Sequence, residues 1–371
     1  MERRIKIALV GPYPEKGLSP RGGVEVAMVR LAAALEDQPH RVSLTVIAPT
    51  TRWDTVKRER EKPRVIRVPQ GDRFTLLSGM RAWRVRAARV LGELAPDVVH
   101  AHSLPGPGLA AADMTLRVSI ITVHGHPVRE QLASGVTAQG RRVLVDRLSR
   151  SAVRRATAVI GVNPTPTMNI PGQAKQFAFI PNIVSEQFWD IPRRPVKGRI
   201  LYCGGEQRIK GWPELLAAWP AASEGVDDAS LRVVGWSGDP PQWTNPPSIT
   251  VRGWLDNAAL RAELAQAEFV VVPSLFEVAP LVIAEAWAAG VPVIACAAGG
   301  IPSMVGRAAA LVPAGEPAQL AQVLRAGLLG RLDVPYLVAT GRRLVMSYRP
   351  SVVAAAHLEF YGRLCEQDAK A

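Results

Sequence analysis

Two carboxylates, Glu277 and Glu285, stand eight positions apart in the stretch SLFEVAPLVIAEAWAAGVPVIACAAGG, where nearly every residue between them is apolar. A carboxylate in such surroundings is costly unless something pairs with it, so the two acids ask for a cation or a ligand. Pro280 predicts the first turn of a helix that ends at Gly290. Glu277 then falls at the carboxyl end of the strand EFVVVPS, while Glu285 lies about 7 to 8 Å up the helix axis, at roughly 1.5 Å per residue. Acceptors placed in this way suit hydroxyl groups at two points along one ligand.

Two cations complement them. In GGEQRIKGWPELL, Gly204, Gly205, Arg208 and Lys210 sit between a strand and a helix. Arginine offers a planar forked contact and lysine a compact charge, and the pair suits a diphosphate. The loop SPRGGVE brings Gly22 and Gly23 to another helix entry, where a ligand can approach the backbone and an anion meets unpaired N–H groups. It matches neither a dinucleotide-binding nor a Walker-type glycine loop. His100 and His102, in VVHAHS, have no further residue at metal-ligand spacing, so they read as strand-end histidines bonded to backbone, and His126 is of the same kind. The nine tryptophans are scattered and read as packing rather than as a base-stacking platform.

The elements that must position these residues come in two series. The first runs RIKIALV, the helix VEVAMVRLAAALED, RVSLTVIAP, PRVIRVP, the helix RAWRVRAARVLGEL, APDVVHAHS, VSIITVHGHP, AVIGVN and FAFIPNIV. The second runs RILYCGG, WPELLAAWPAA, SLRVVGW, ITVRGW, NAALRAELAQA, EFVVVPS, APLVIAEAWAAG, VPVIACA and AALVPAG. Strands alternating with helices at crossover spacing predict two doubly wound parallel sheets. Their strand carboxyl ends are expected to face a shared cleft, where ligands bind. The expected division is 1–190, 191–350 and a C-terminal helix over 351–371.

The bulk numbers agree with two lobes. The 371 residues are 48% hydrophobic and 21% charged, which describes a globular chain and excludes disorder. Three cysteines, with no C-x-x-C pair, suit a reducing compartment. MERRIKIALVGPYP reads as a first strand rather than a signal peptide, and no run is long enough to span a bilayer. A cytoplasmic or membrane-peripheral protein is expected. The net charge of +13 is unevenly placed: residues 1–190 carry 28 Lys/Arg against 16 Asp/Glu, residues 191–371 only 17 against 16. RAWRVRAARVLGEL and RRVLVDRLSRSAVRR concentrate the excess. Such a face can be merely solvated, or can be drawn to anionic lipid or an acidic acceptor.

The segment FVVVPSLFEVAPLVIAEAWAAGVPVIACAAGGIPSMV resembles the signature of the retaining GT-B glycosyltransferases of family 4, with its E-x7-E motif. The resemblance extends along the chain through GGVE, PDVVHAHS, ITVHGHP, IPNIVSEQF, GGEQRIKG and VRGWLDNAALRAELAQAEFVVVPS, in the family's order. It implies a GT-B fold, two Rossmann-like domains with a C-terminal helix crossing back to the first. The implied donor is a UDP- or GDP-sugar, and the implied acceptor a glycan, a lipid-linked sugar or a small molecule. Glu285 would then bind the ribose hydroxyls and Glu277 the donor sugar. Backbone N–H groups from Ala279 through Pro280 to Leu281 would face sugar and diphosphate, and Lys210 would neutralise the leaving diphosphate. Gly22 and Gly23 would close over it from the first lobe, His124 would lie near the anomeric centre, and the backbone at Arg252 and Gly253 would hold the base.

Two positions depart from the family. Gly205 stands where most relatives have a phosphate-binding arginine, and Arg208 takes that role here; E-V-A-P replaces the usual E-G-F-G, which bears on the choice of sugar. The resemblance implies front-face transfer, the departing phosphate helping to remove the acceptor proton while cations and helix N-termini hold its charge. The chain has no D-x-D triplet, so no cofactor or divalent metal is expected. Two other classes fit the same residues less completely: an epimerase or hydrolase on this fold, and a basic membrane- or nucleic-acid-binding protein without catalysis. A pyridoxal-dependent phosphorylase has no supporting lysine motif, and no specific nucleic-acid partner is expected.

Overall fold

The computed structural model describes residues 4–20, 22–52, 55–59, 62–70, 80–114, 118–125, 139–165, 174–237 and 248–370. His126, read above with the strand-end histidines, lies outside them.

The first unit is built on an eight-stranded sheet of order β3-β4-β2-β1-β5-β6-β7-β8. Its strands are β1 (Ile5–Val10), β2 (Val42–Thr50), β3 (Lys57–Arg58), β4 (Arg64–Pro69), β5 (Val98–His102), β6 (Val118–Val123), β7 (Ala158–Gly161) and β8 (Phe177–Phe179). All pairs are parallel except β3 with β4, an antiparallel two-residue edge that no apolar run foreshadows. Alternation along β1 sends Ile7 and Leu9 to one face and Ala8 and Val10 to the other. The first face packs against the Gly23–Glu36 helix and the last helix, Pro350–Asp368, through Met28, Leu35, Leu358 and Tyr361. The second carries the helices Met80–Leu94, Gly106–Ala112 and Gln139–Arg155 through Trp83, Leu91, Leu109 and Val153.

The second unit has a six-stranded, wholly parallel sheet of order β11-β10-β9-β12-β13-β14. These are β9 (Arg199–Cys203), β10 (Ser230–Val234), β11 (Ile249–Arg252), β12 (Phe269–Val272), β13 (Val293–Cys296) and β14 (Ala310–Val312). Its core, including Trp219, Phe269, Ile283, Trp287 and Ile294, is buried on both sheet faces, as continuous apolar strands require.

The chain passes from one unit to the other between residues 183 and 184, not at 190. Ile183 packs in the first core, whereas Val184, Phe188 and Ile191 pack in the second, and the Val184 N–H donates to the Tyr348 carbonyl at 3.0 Å. Residues 350–371 return to the first unit, where Val353, Leu358, Phe360, Tyr361 and Leu364 are buried. Among the described residues no helix is long and apolar enough to cross a membrane, and the three cysteines are free thiols.

Candidate active site

In the second sheet the strand order reverses between β9 and β12, and the loops after these two strands carry the cations and the first acid. That reversal is where open α/β sheets bind ligands. Residues Arg208–Lys210 form a single 3-10 turn, ended by Gly211 at φ 73°. A Cβ at Gly211 would lie 1.9 Å from the Pro273 carbonyl oxygen, so only glycine lets the two loops approach this closely. The Leu275 N–H donates to the Ile209 carbonyl at 2.8 Å and ties them together.

This approach brings Lys210 Nζ to 2.6 Å from Glu277 Oε1, and Ser274 Oγ donates to the same oxygen at 3.3 Å. The Glu277 carbonyl accepts the Gly300 N–H at 2.7 Å, and Gly299, at φ 58°, leaves the room for that turn. Glu277 is thus held at both ends of the residue. Arg208 is not drawn in: its guanidinium is half exposed and lies 2.6 Å from the carboxylate of Glu214 on the following helix.

Pro280 is the N-cap rather than the first turn of the Leu281–Ala288 helix, with ψ 121°. Having no N–H, it cannot join the backbone donors expected of Ala279–Leu281, which leaves Ala279 and Leu281 to supply them. The helix start presents N–H groups that have no carbonyl within the helix, at its positive dipole end. Glu285 follows on this helix, 5% exposed. Its charge is felt at Cys203, the last residue of β9, whose thiol is pushed up by burial and then by Glu285 and Glu263.

At the far side of the same sheet, β10 and β11 run in register to Val234 and Arg252. The Arg252 and Gly253 carbonyls accept the Trp236 and Gly235 N–H groups at 3.3 and 3.1 Å. The Arg252 side chain is exposed and stands 3.7 Å from Glu263. Trp254, next in the chain, is 58% exposed and does not share the packing role expected of the tryptophans; Trp236 is buried edge-on against Trp212.

In the first unit, Gly22 (φ 84°) caps the Gly23–Glu36 helix after β1, and both glycines are exposed. His124 follows β6 directly. The strand-end histidines do not take backbone partners. His100 bonds the Tyr361 hydroxyl through Nδ1 and the Thr122 hydroxyl through Nε2, each at 2.6 Å. His102 Nδ1 lies 2.9 Å from His124 Nε2, because β5 and β6 are neighbours and bring both side chains to one sheet end. Burial lowers the pKa of His100 and His102 well below the usual histidine value, and lowers that of His124 to about 4 against a hydrogen bond to Asn182 that raises it. Sequence reasoning missed this partnership, Ser274 and the exposure of Trp254; only the shared strand-end position of the histidines signals it.

Comparison with known proteins follows the same division. Residues 21–165 match the family model described as Glycosyltransferase Family 4, and residues 197–328 the one described as Glycosyl transferases group 1. A phosphatidyl-myo-inositol mannosyltransferase of Mycobacterium leprae is 26% identical over 99% of each chain. A GDP-mannose-dependent alpha-mannosyltransferase of Mycolicibacterium smegmatis is 29% identical over 94% of this chain and 93% of its own. Sucrose-phosphate synthase from Thermosynechococcus elongatus shares the fold at a TM-score of 0.79 and 21% identity, over 97% of this chain and 99% of that one.

Proposed function

The chain belongs to glycosyltransferase family 4, with the GT-B fold, and we propose that it transfers a hexosyl group with retention from a nucleoside-diphosphate sugar to a hydroxyl of a lipid-linked or glycan acceptor. The observation that carries this reading is the placement of the Lys210–Glu277 pair, the Leu281–Ala288 helix start and Glu285 in the loops and helix that follow the two strands flanking the sheet reversal. Lys210 and the N–H groups of Ala279 and Leu281 take the diphosphate charge as it develops, Glu277 takes a sugar hydroxyl, and Glu285 takes the ribose. The strand-end backbone at Arg252 and Gly253 takes the base. On the first unit, Gly22 and Gly23 offer an anion the start of the Gly23–Glu36 helix, and the resemblance gives His124 a role in the transfer.

GDP-mannose is the first donor to try, since the two relatives spanning nearly the whole chain are mannosyltransferases, one of them GDP-mannose-dependent. A thermal-shift screen against nucleoside diphosphates and their sugars tests the reading, because stabilisation scales with ligand concentration over its dissociation constant. Stabilisation by a GDP- or UDP-sugar, followed by acceptor-dependent release of the diphosphate, is expected. A folded protein that binds none of them refutes the reading. Diphosphate release that ignores acceptor would make the protein a hydrolase instead.

The acceptor reading rests on the first unit's charge. The Met80–Leu94 and Gln139–Arg155 helices cover the same sheet face and expose Arg81, Arg86, Arg89, Arg147 and Arg154, with Val85 and Val143 exposed among them. Cations interleaved with apolar side chains suit an anionic phospholipid surface. Sedimentation with phosphatidylglycerol vesicles, compared with phosphatidylcholine vesicles, is expected to favour the former; equal partition would refute a membrane-held acceptor.

A further inference from the structure

Four histidines of the first unit, His100, His102, His124 and His357, pack ring against ring, with centroids between 4.3 and 5.7 Å apart in successive pairs. The family resemblance gives a role only to His124. The other three are at most 4% exposed, a costly arrangement for polar rings unless their hydrogen bonds are settled.

Most of those bonds can be assigned. His100 is satisfied at both nitrogens by Tyr361 and Thr122. His357 Nδ1 lies 2.9 Å from the Val353 carbonyl of its own helix and so carries a proton. His102 differs: Nδ1 faces His124 Nε2 at 2.9 Å, while its buried Nε2 has no partner. Burial holds both rings neutral, so each has one N–H and one lone pair. If His124 donated, His102 would keep its proton on Nε2 as a buried donor with nothing to receive it. If His102 donates, only a lone pair is left over. Orphaned buried N–H groups are the rarer of the two, so the second arrangement is favoured. His124 then carries its proton on Nδ1, the nitrogen left for the Asn182 side chain, which hydrogen-bonds this ring. His102, His124, Asn182, Thr122 and His357 border one small cavity, so the pair is placed beside open space rather than sealed in the core.

From this geometry we infer that His102 is a positioning residue, whose Nδ1–H occupies the His124 Nε2 lone pair, fixes the His124 tautomer, and makes His124 a hydrogen-bond donor rather than a proton acceptor. The consequence for transfer, which rests on the proposed function, is that His124 does not remove the acceptor hydroxyl's proton. That proton goes to the departing phosphate oxygen, while His124, its Nε2 lone pair taken by His102 and its Nδ1–H by Asn182, is held fixed as a neutral ring. The balance is then complete without an enzyme base: the acceptor oxygen bonds to the anomeric carbon, the bond to diphosphate breaks, and the proton leaves on the diphosphate.

The test uses the full chain labelled with 15N-histidine and long-range proton–nitrogen correlation spectra, which separate the two neutral tautomers. Wild-type His124 is expected as the Nδ1–H form. His102→Phe keeps the ring's bulk and removes the donor, so His124 is expected to shift toward Nε2–H. His102→Asn places its amide N–H where Nδ1 stood and is expected to restore the Nδ1–H form. In turnover, His102→Phe is expected to lower kcat about tenfold to a hundredfold with KM little changed, and His102→Asn to recover most of the loss. A wild-type His124 protonated on Nε2, or a tautomer indifferent to His102→Phe in a folded protein, overturns the inference. The spectra need no substrate, so their failure is distinct from a failure to transfer sugar. Should His102→Phe not fold, the wild-type tautomer and His102→Asn still decide the matter.

Discussion

Lys210 Nζ lies 2.6 Å from Glu277 Oε1, so the cation assigned to the diphosphate and the acid assigned to the sugar neutralise each other before any donor arrives. Both side chains are partly shielded, at 32% and 15% exposure, and a bound nucleotide sugar has to divide the pair between its phosphate and a hydroxyl. Lys210→Met should therefore act mostly in the transition state, where phosphate charge grows. We expect kcat to fall by roughly a hundredfold to a thousandfold, as on removing one preorganised oxyanion donor, with a smaller change in donor affinity. Steady-state kinetics with saturating donor check it; a change confined to KM would place Lys210 in ground-state binding alone.

Gly211 makes this pairing possible, and the cost of altering it can be stated. Gly211→Ala forces φ 73° on an L side chain and drives its Cβ into the Pro273 carbonyl at 1.9 Å. Gly225 has a similar φ of 66° but nothing within 4 Å. Urea unfolding should show a loss of about 2 to 4 kcal/mol for Gly211→Ala against about 1 to 2 kcal/mol for Gly225→Ala. Donor binding should fail only in the first. Equal losses would mean that the loop contact is not what requires glycine.

The two sheets and the strand-end location of the site were legible because alternation of strand and helix leaves little choice of topology, and because glycine, lysine and acid follow strand ends in the sequence. What was not legible depends on contacts across long separations. Tyr361 meets His100 across 261 positions, and nothing local in the last helix marks that face as the partner of a strand end. The unit boundary is not legible because the segment from Val184 to Ile191, with its 3-10 turn at Glu186–Phe188, carries apolar residues that would suit either core; only packing decides which core receives them. Arg208 looked free for phosphate because Glu214 is six positions on, a spacing with no helical meaning when a 3-10 turn and Gly211 intervene.

Chelation should leave transfer intact. Lys210 and the helix start at Leu281 are placed to hold diphosphate charge, the task a divalent ion performs where D-x-D carboxylates bind one. Turnover measured in excess EDTA is expected to match the untreated rate. A rate that falls with EDTA and returns with magnesium or manganese would overturn this expectation.

The histidine cluster makes stability depend on pH in a definite direction. His124 and His357 have pKa values lowered to about 4, by burial first, against about 6.5 in an unfolded chain. Between these values the unfolded state binds more protons, so stability is fully present above about pH 6.5 and is lost as pH falls through about 4. The loss is on the order of 3 kcal/mol per ring. Urea midpoints at a series of pH values should fall through this window, and less steeply in His357→Gln. A midpoint constant from neutral pH down to about 4.5 would contradict the burial of neutral rings.

Glu285 is the sharpest test of how the donor lies. It is 5% exposed on the second turn of the Leu281–Ala288 helix, while Glu277 stands before that helix begins, so the two acids cannot serve the same end of a ligand. If Glu285 holds the ribose, it contacts a part of the donor that takes no part in bond breaking. Its loss should weaken the nucleoside diphosphate and the intact nucleotide sugar alike. Glu285→Ala is expected to raise both dissociation constants about tenfold to a hundredfold, the worth of a hydrogen bond to a charged group. Glu277→Ala should weaken the nucleotide sugar more than the bare diphosphate, since its partner is the sugar. Calorimetric titration of both variants with both ligands gives four ratios. Should Glu285→Ala spare the bare diphosphate and Glu277→Ala impair it, the donor lies the other way round in the site.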